Sequence, residues 1–224
     1  MAMIPVHRSE EEKQGGKCQA KKREHGEQDS ELAERIVQTA VEMAEACGWE
    51  AVELTEVARR LDMPVAQVLD NFHDLDAVAN AWFLRGWQHM LDDKPEGFAL
   101  WSARERIEHC LMAWFDAFAD HRRVTVQMIK AKSHPPHMHT WVPMVFDLSR
   151  TIQWLREAAR LEAPYGTRRA QLEEIGLTAL FLATLKQWAD DVSPEQQDTR
   201  RFLRRYLKRS ERMMDWLWHG HQAR

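Results

Sequence analysis

From Ser30 almost to the C-terminus, apolar residues recur at spacings of three and four, and no stretch alternates apolar and polar as a strand would. That pattern confines the chain to helix-on-helix packing and predicts an all-α fold. The first stripe runs through Leu32, Ile36, Ala40, Met43, Ala44 and Cys47, with Ser30 as N-cap and Gly48 as the C-terminal stop. A short helix over 55–61 follows, with Val57, Ala58 and Leu61 inward. After a break at Asp62-Met63 comes a second over 64–72, with Pro64 at its first position and Val68 and Phe72 buried. A longer helix over 76–91 turns Val78, Ala79, Trp82, Phe83 and Met90 inward.

The later helices carry their own start signals. Ser102 and Glu105 form a capping box ahead of Ile107, Cys110, Leu111, Trp114, Phe115 and Phe118. Further helices are predicted over 122–131, over 142–161 and over 168–190, the last apolar on most sides. Ser193-Pro194-Glu195-Gln196 reads as another capping box, with proline at the first helical position of a final helix bearing Phe202, Tyr206, Met213 and Leu217. Residues 1–29 are polar and charge-mixed, with Gly15-Gly16. They bury too little apolar surface to offset their ordering entropy and are expected to form a disordered arm. The expected organisation is therefore an arm over 1–29, a small three-helix domain over 30–76 and a larger helical domain over 77–224.

Composition excludes several classes. The segment Met1 to Lys13 lacks the apolar core of a signal peptide. The longest nearly continuous apolar run, Leu177 to Leu185, is far short of the roughly 20 residues that cross a bilayer. Cys18, Cys47 and Cys110 are too few and too scattered for a disulfide framework or a zinc motif. A reducing cytoplasm is the expected setting. Neither a Gly-rich phosphate loop, H-E-x-x-H, paired E-x-x-H nor nucleophile elbow is present, so no enzyme and no cofactor is expected. The histidines of His134-Pro135-Pro136-His137-Met138-His139 are close enough to suit zinc or nickel, but no cysteine or carboxylate lies nearby. The segment is read as an exposed connector, and no metal is assigned.

Three short helices in 45 residues, the second and third joined by a tight turn, describe a helix-turn-helix. The residues that fill it are Gly48-Trp49-Glu50-Ala51, then Leu54-Thr55-Glu56-Val57-Ala58-Arg59-Arg60, Met63-Pro64, Val68, Phe72 and Ala77-Val78. In this order the segment resembles the N-terminal domain of the TetR regulators. The resemblance implies an N-terminal DNA-reading domain and a C-terminal domain for ligand binding and two-fold dimerisation. It departs from the family pattern where DNA is touched: Asp62 replaces the turn glycine, Pro64-Val65 the Ser-Lys/Arg start, Leu69 the tyrosine and Leu75 the phosphate-binding lysine. Asp62 can still adopt the left-handed conformation the turn needs.

Charge sharpens that departure. Residues 31–78 hold three basic against eleven acidic side chains, a balance of −8, and no Lys or Arg lies between Leu61 and Phe83. Basic contacts supply most nonspecific DNA affinity through counterion release. The DNA-facing candidates are therefore Thr55, Pro64, Val65, Gln67, Asn71 and His73, with basic help from Lys17, Lys21, Lys22 and Arg23 in the arm, placed to reach a minor groove. A solvated tail is the plain alternative for that cluster.

The later part also resembles a second family of this fold, the ubiquinone-biosynthesis accessory proteins that bind lipid instead of DNA. The residues that carry this are Leu148-Ser149-Arg150-Thr151-Ile152, Ala183-Thr184-Leu185-Lys186-Gln187-Trp188, Asp190-Asp191-Val192-Ser193 and Phe202-Leu203-Arg204-Arg205. Two functions are thus expected from the resemblances: a DNA-binding regulator answering to a small hydrophobic effector, or a lipid-holding accessory protein. Trp114, Phe118, Trp141, Trp154, Phe181 and Trp188 are candidate walls of a ligand cavity, with plain core as the alternative. Leu180, Leu182, Phe202, Tyr206, Met213 and Trp216 exceed what one buried face needs. The regulator resemblance implies a two-fold helical dimer interface there, against burial within the single chain.

Overall fold

The computed structural model describes residues 9–133, 138–164 and 166–219, with side chains described over 27–133, 147–164 and 166–210. Among these residues all regular structure is helical: α1 Ser9–Cys47, α2 Leu54–Arg60, α3 Val65–Asn71, α4 Leu75–Asp92, α5 Ala103–Asp116, α6 Arg122–Lys132, α7 Met138–Ala158, α8 Arg168–Ala189 and α9 Gln197–His219.

Helix α1 begins well before Ser30, where the sequence placed a disordered arm. The reason is propagation. Residues 32–47 are anchored by Ile36, Val37, Ala40, Val41 and Ala44, all buried. Once those turns are closed, each further residue adds at little cost. The preceding stretch of Lys, Gln, Ala and Glu consists largely of good helix formers.

α2 and α3 pack across α1 through Val57, Ala58, Val68 and Phe72. Pro64 lies just outside α3, as its extended N-cap, rather than at its first helical position. α4 is opened by Asp74, whose carboxylate accepts the Ala77 N–H at 2.7 Å. From there α4 leaves the small domain and packs against α5 and α7, so one continuous helix ties the two halves. Gly86 makes close α4–α5 packing possible: a Cβ there would lie 2.6 Å from Trp114 Nε1 and 2.7 Å from Phe118.

α5 starts with the expected capping box. The Glu105 N–H donates to Ser102 Oγ at 3.3 Å, and the Ser102 N–H donates to Glu105 Oε2 at 2.8 Å. The start expected at Ser193 is different. Glu195 and Gln196 take positive φ angles of 51° and 56°, so Pro194–Gln196 forms a separate 3-10 turn. Gln196 is drawn inward because buried Trp188 needs an acceptor: its indole N–H donates to Gln196 Oε1 at 2.5 Å, and Gln196 Nε2 donates to Asp116 at 2.7 Å. Asp191 takes over the capping. It accepts from the Ser193 N–H at 2.8 Å, the Thr199 N–H at 2.8 Å and the Thr199 hydroxyl at 2.5 Å. Burial pushes the Asp191 carboxyl up, but hydrogen bonds from Ser193 and Thr199 outweigh it and hold the group at about 2.

One contiguous core runs from the α1–α3 packing through Trp82, Phe115, Phe118, Leu155 and Trp188 to Leu203 of α9. Among the described residues no helix is long and apolar enough to cross a membrane.

Candidate functional site

The helix-turn-helix is complete in its backbone. Leu61 N–H bonds to Val57 O at 3.1 Å, Met63 N–H bonds to Ala58 O at 3.1 Å, and Asp62 between them adopts φ 53°. A short polar side chain tolerates that conformation without glycine. With Val68 and Phe72 anchoring the inner face of α3, the outer face is fixed: Val65, Ala66, Gln67, Leu69 and Asp70 are all exposed. Thr55, Pro64 and His73 are exposed beside it, whereas Asn71 turns back and donates to Gln67 O at 2.9 Å. Lys21, Lys22 and Arg23 belong to the helical backbone of α1, and their side chains lie outside the described residues.

The charges near this face are largely spoken for. Arg59 donates twice to Glu56, at 2.7 and 2.5 Å, and Arg60 lies 3.9 Å from the same carboxylate. The hydrogen bond to Arg59 lowers the Glu56 pKa, and its counterpart raises that of Arg59. On α3 itself the exposed surface combines Leu69 with Asp70 and offers no cation.

Two helices tie this unit to the larger domain. On α6, Gln127 accepts the Trp49 N–H at 2.9 Å and Arg123 pairs with Glu45 at 2.8 Å, while His121, just ahead of α6, sits 3.3 Å from the same carboxylate. On α4, Arg85 pairs with Glu34 of α1 at 2.5 Å. The far end of α6 carries Lys132, whose ammonium bonds to Asp76 and, at 2.8 Å, to Asn80 Oδ1 in the first turns of α4.

Lys132 and Asn80 also border an open cavity of about 640 Å³ lined by α4–α8. That size is ordinary for small-molecule sites, which range over roughly 300–1,000 Å³. Phe83, Leu84 and Trp87 of α4, Trp114 of α5, Ile129 of α6, Leu148 of α7 and Phe181, Leu182 and Leu185 of α8 make its walls chiefly apolar. Of the aromatic residues expected there, Trp114 and Phe181 meet on one wall, their rings 5.1 Å apart. Phe118 stands behind them, 4.9 Å from Trp114, and is fully buried. Trp188 and Trp154 do not border the cavity. Trp188 packs on Phe115 at 5.3 Å and closes the turn before α9, while Trp154 is part of the surrounding core. The Trp141 side chain lies outside the described residues; of the His134–His139 segment read as a connector, residues 134–137 lie outside them too, and Met138 and His139 open α7. Sequence reading missed Trp87, Lys132 and Arg150. The spacing of four from Phe83 to Trp87 was a usable signal for the first, and nothing in the pattern marked the other two.

A second, more polar groove of about 740 Å³ lies between α5 and α9. Two ion pairs cross it, Arg200 with Asp116 at 2.8 Å and Arg204 with Glu108 at 2.5 Å.

The residues expected at a dimer interface divide. Leu180, expected to face a partner, is 3% exposed, because α8 buries the stripe of Leu177, Leu180, Phe181, Thr184 and Trp188 within its own chain. Leu182 remains 47% exposed, and Phe202 and Tyr206 are half-buried with their rings 6.0 Å apart. The side chains of Met213 and Trp216 lie outside the described residues. The outer side of α8 holds three residues the sequence reading did not single out: Leu172 and Ile175, both exposed, and Ala179 between Ile175 and Leu182.

No protein-family model matches the sequence, and no curated protein matches it. Among solved structures, the chain is similar to a TetR transcriptional regulator from Nitrosomonas europaea, at 39% identity and a TM-score of 0.70, over 79% of this chain and 96% of that one. A TetR-family regulator from Thermus thermophilus also matches, at 15% identity and a TM-score of 0.49, over 78% of this chain and 97% of that one. A third, a tetR-family regulatory protein from Rhodococcus, matches at 21% identity and a TM-score of 0.44, over 81% and 95%.

Proposed function

This chain belongs to the TetR family of transcriptional regulators, and we propose that it works as a homodimer whose two helix-turn-helix units contact DNA under control of an apolar effector. The observation that carries the reading is the intact α2–turn–α3 backbone, with left-handed Asp62 in the glycine position and an exposed outer face on α3. Thr55, Pro64, Val65, Gln67, Asn71 and His73 are the DNA-facing residues, and Asn71 must give up its bond to Gln67 O to reach a base. The acidic surface of α3 leaves little attraction for phosphates, so affinity rests on Lys21, Lys22 and Arg23 of α1.

In this reading the dimer forms through the outer side of α8. Leu172, Ile175, Ala179 and Leu182 follow a spacing of three and four, and an exposed apolar stripe of that kind is relieved by a two-fold copy. The effector occupies the cavity between α4 and α8, where Trp114 and Phe181 form part of the wall. Its consequence for DNA runs through α4 and α6, the helices that contact both the cavity and α1.

The test is fluorescence anisotropy of labelled genomic DNA fragments titrated with the full chain at low and moderate salt. Binding that weakens steeply with salt and disappears when Lys21, Lys22 and Arg23 are changed together to Gln is the expected result. A folded dimer that shows no affinity even at low salt would overturn the DNA-binding reading.

A further inference from the structure

The cavity and the uncovered stripe of α8 share a residue. Leu182 borders the cavity and is also 47% exposed. With about 3.6 residues per turn, Phe181 and Leu185 border the cavity from one side of α8, and Leu182 stands at the outer edge of that side. Ile175, two turns earlier, occupies the same edge as Leu182 yet does not border the cavity of its own chain. On α4, Leu84 also lines the cavity and is 45% exposed. Leu182 and Leu84 are thus apolar wall residues that the single chain leaves in water.

The exposed face of α8 is self-complementary. Gly176 lies mid-helix, where glycine is costly, and a Cβ there would meet nothing within 4 Å, so no contact within the chain calls for it. Arg168 in the first turn and Asp190 at the C-cap flank the same face, both exposed and without an ion pair among the described residues. They stand equally far from Ala179, eleven residues on either side. A second copy laid antiparallel on α8, about a two-fold axis at Ala179, therefore brings each Arg168 to the partner's Asp190. The same rotation sets Gly176 beside the partner's Ala183, which lets the backbones approach, and Leu182 beside the partner's Ile175.

Resting on the reading of α8 as the dimer face and of this cavity as the effector site, we infer that the site is completed by the second copy. The partner's Ile175 closes the α8 rim over Leu182, and ligand and partner each tighten the binding of the other. The physical reason is shared burial. Hydrophobic stabilisation follows the apolar area removed from water. In the single chain Leu182 and the part of a ligand lying against it stay wet, and only the dimer covers both. A coupling of this kind is reciprocal by thermodynamic necessity.

The experiment measures binding of N-phenyl-1-naphthylamine by its fluorescence. This uncharged apolar probe suits a wall whose cations Lys132 and Arg150 are already paired with Asp76 and Asp147. The full chain is titrated at concentrations below and above its dimer dissociation constant, taken from sedimentation equilibrium. The dimer is expected to bind the probe at least roughly ten-fold more tightly than the monomer, and saturating probe to tighten the dimer. Ile175→Glu, exposed and outside its own cavity wall, should give a folded monomer with the weaker affinity at every concentration, and Ile175→Leu should behave as wild type. Arg168→Asp and Asp190→Arg should each weaken the dimer, and the two together should restore it. A monomeric Ile175→Glu that keeps the affinity of the wild-type dimer would overturn the inference and leave the cavity standing as a ligand site of the single chain. Failure of the paired exchange to restore association would overturn the antiparallel seating, and with it the place of the partner's Ile175 at the rim. A wild-type chain that stays monomeric, or a folded dimer that binds no probe, would overturn the inference together with the reading it rests on.

Discussion

The small domain and the cavity domain obey the same packing rule and differ in what they leave uncovered. In the small domain, Val57, Ala58, Val68 and Phe72 build a sound helix-turn-helix, and the surface it presents is acidic and partly apolar. In the larger domain an equally regular core leaves a space beside it, bordered by buried Lys132, whose ammonium pairs with Asp76. Charge is thus placed differently in the two: the Lys132–Asp76 pair sits beside an internal cavity, and acidic side chains lie on the exposed face of the helix-turn-helix. Inward residues specify a fold, and the same fold accepts either sign on its outward or cavity-facing positions. The comparison is therefore best tested by changing inward and outward residues separately.

The largest effect is expected from the inward side. Phe118 is fully buried, packs against Trp82, Phe83 and Trp114, and backs the cavity wall. Phe118→Ala should cost about 3–5 kcal/mol of folding stability. Chemical denaturation of the two proteins measures it. A loss below about 1 kcal/mol would mean that the cavity wall is loosely packed and that the two domains do not share one core.

Next comes the uncovered stripe of α8. Ile175 is 67% exposed in the single chain. A charge there is harmless to a monomer, within about 0.5 kcal/mol. In a two-fold interface it is buried twice, and Ile175→Glu should weaken association by at least about 2 kcal/mol. Sedimentation equilibrium reads the change. An unaltered dimer would place the interface elsewhere, and a wild-type monomer would remove it altogether.

Asp191 carries a smaller and pH-dependent effect. Its folded-state pKa of about 2 lies below the ordinary value of 3.8. The contribution is therefore fully present above about pH 4 and is lost as pH falls towards the folded value. Asp191→Asn should cost about 2 kcal/mol at pH 7, and the gap to wild type should shrink as pH is lowered from about 5 to about 2. Guanidinium titrations at both ends of that window test the sign. A gap independent of pH would show that the turn depends on the shape of the side chain and not on its charge.

What the sequence conveyed follows the same division between inward and outward. Periodicity located α2, α4, α5, α6 and α8 to within a few residues because burial imposes the pattern, and Ser102–Glu105 was legible because both capping bonds are local. Asp62 was legible as a left-handed turn residue for the same reason. Three features depended on contacts between distant residues and were not legible. The turn at Glu195 exists because Trp188 and Asp116 claim Gln196. Lys132 reaches Asp76 across more than fifty residues. Leu180 and Leu182 differ only in which side of α8 they occupy, and a helix apolar on most sides does not announce which side will be covered.

The smallest effect concerns the exposed face of α3. Asp70 is exposed on α3, so replacing it changes charge without disturbing packing. Asp70→Lys should leave stability within about 0.5 kcal/mol of wild type. It should strengthen nonspecific DNA binding at low salt and steepen the plot of log K against log salt by roughly 0.9 if the new ammonium reaches one phosphate. Anisotropy across a salt series measures both quantities. A steeper slope would place α3 against the DNA backbone despite its native charge. An unchanged slope, in a protein that binds DNA through Lys21, Lys22 and Arg23, would mean that the arm makes the phosphate contacts and α3 stands away from the phosphates. The sign on the recognition surface would then be tolerated because that surface never meets the opposing charge.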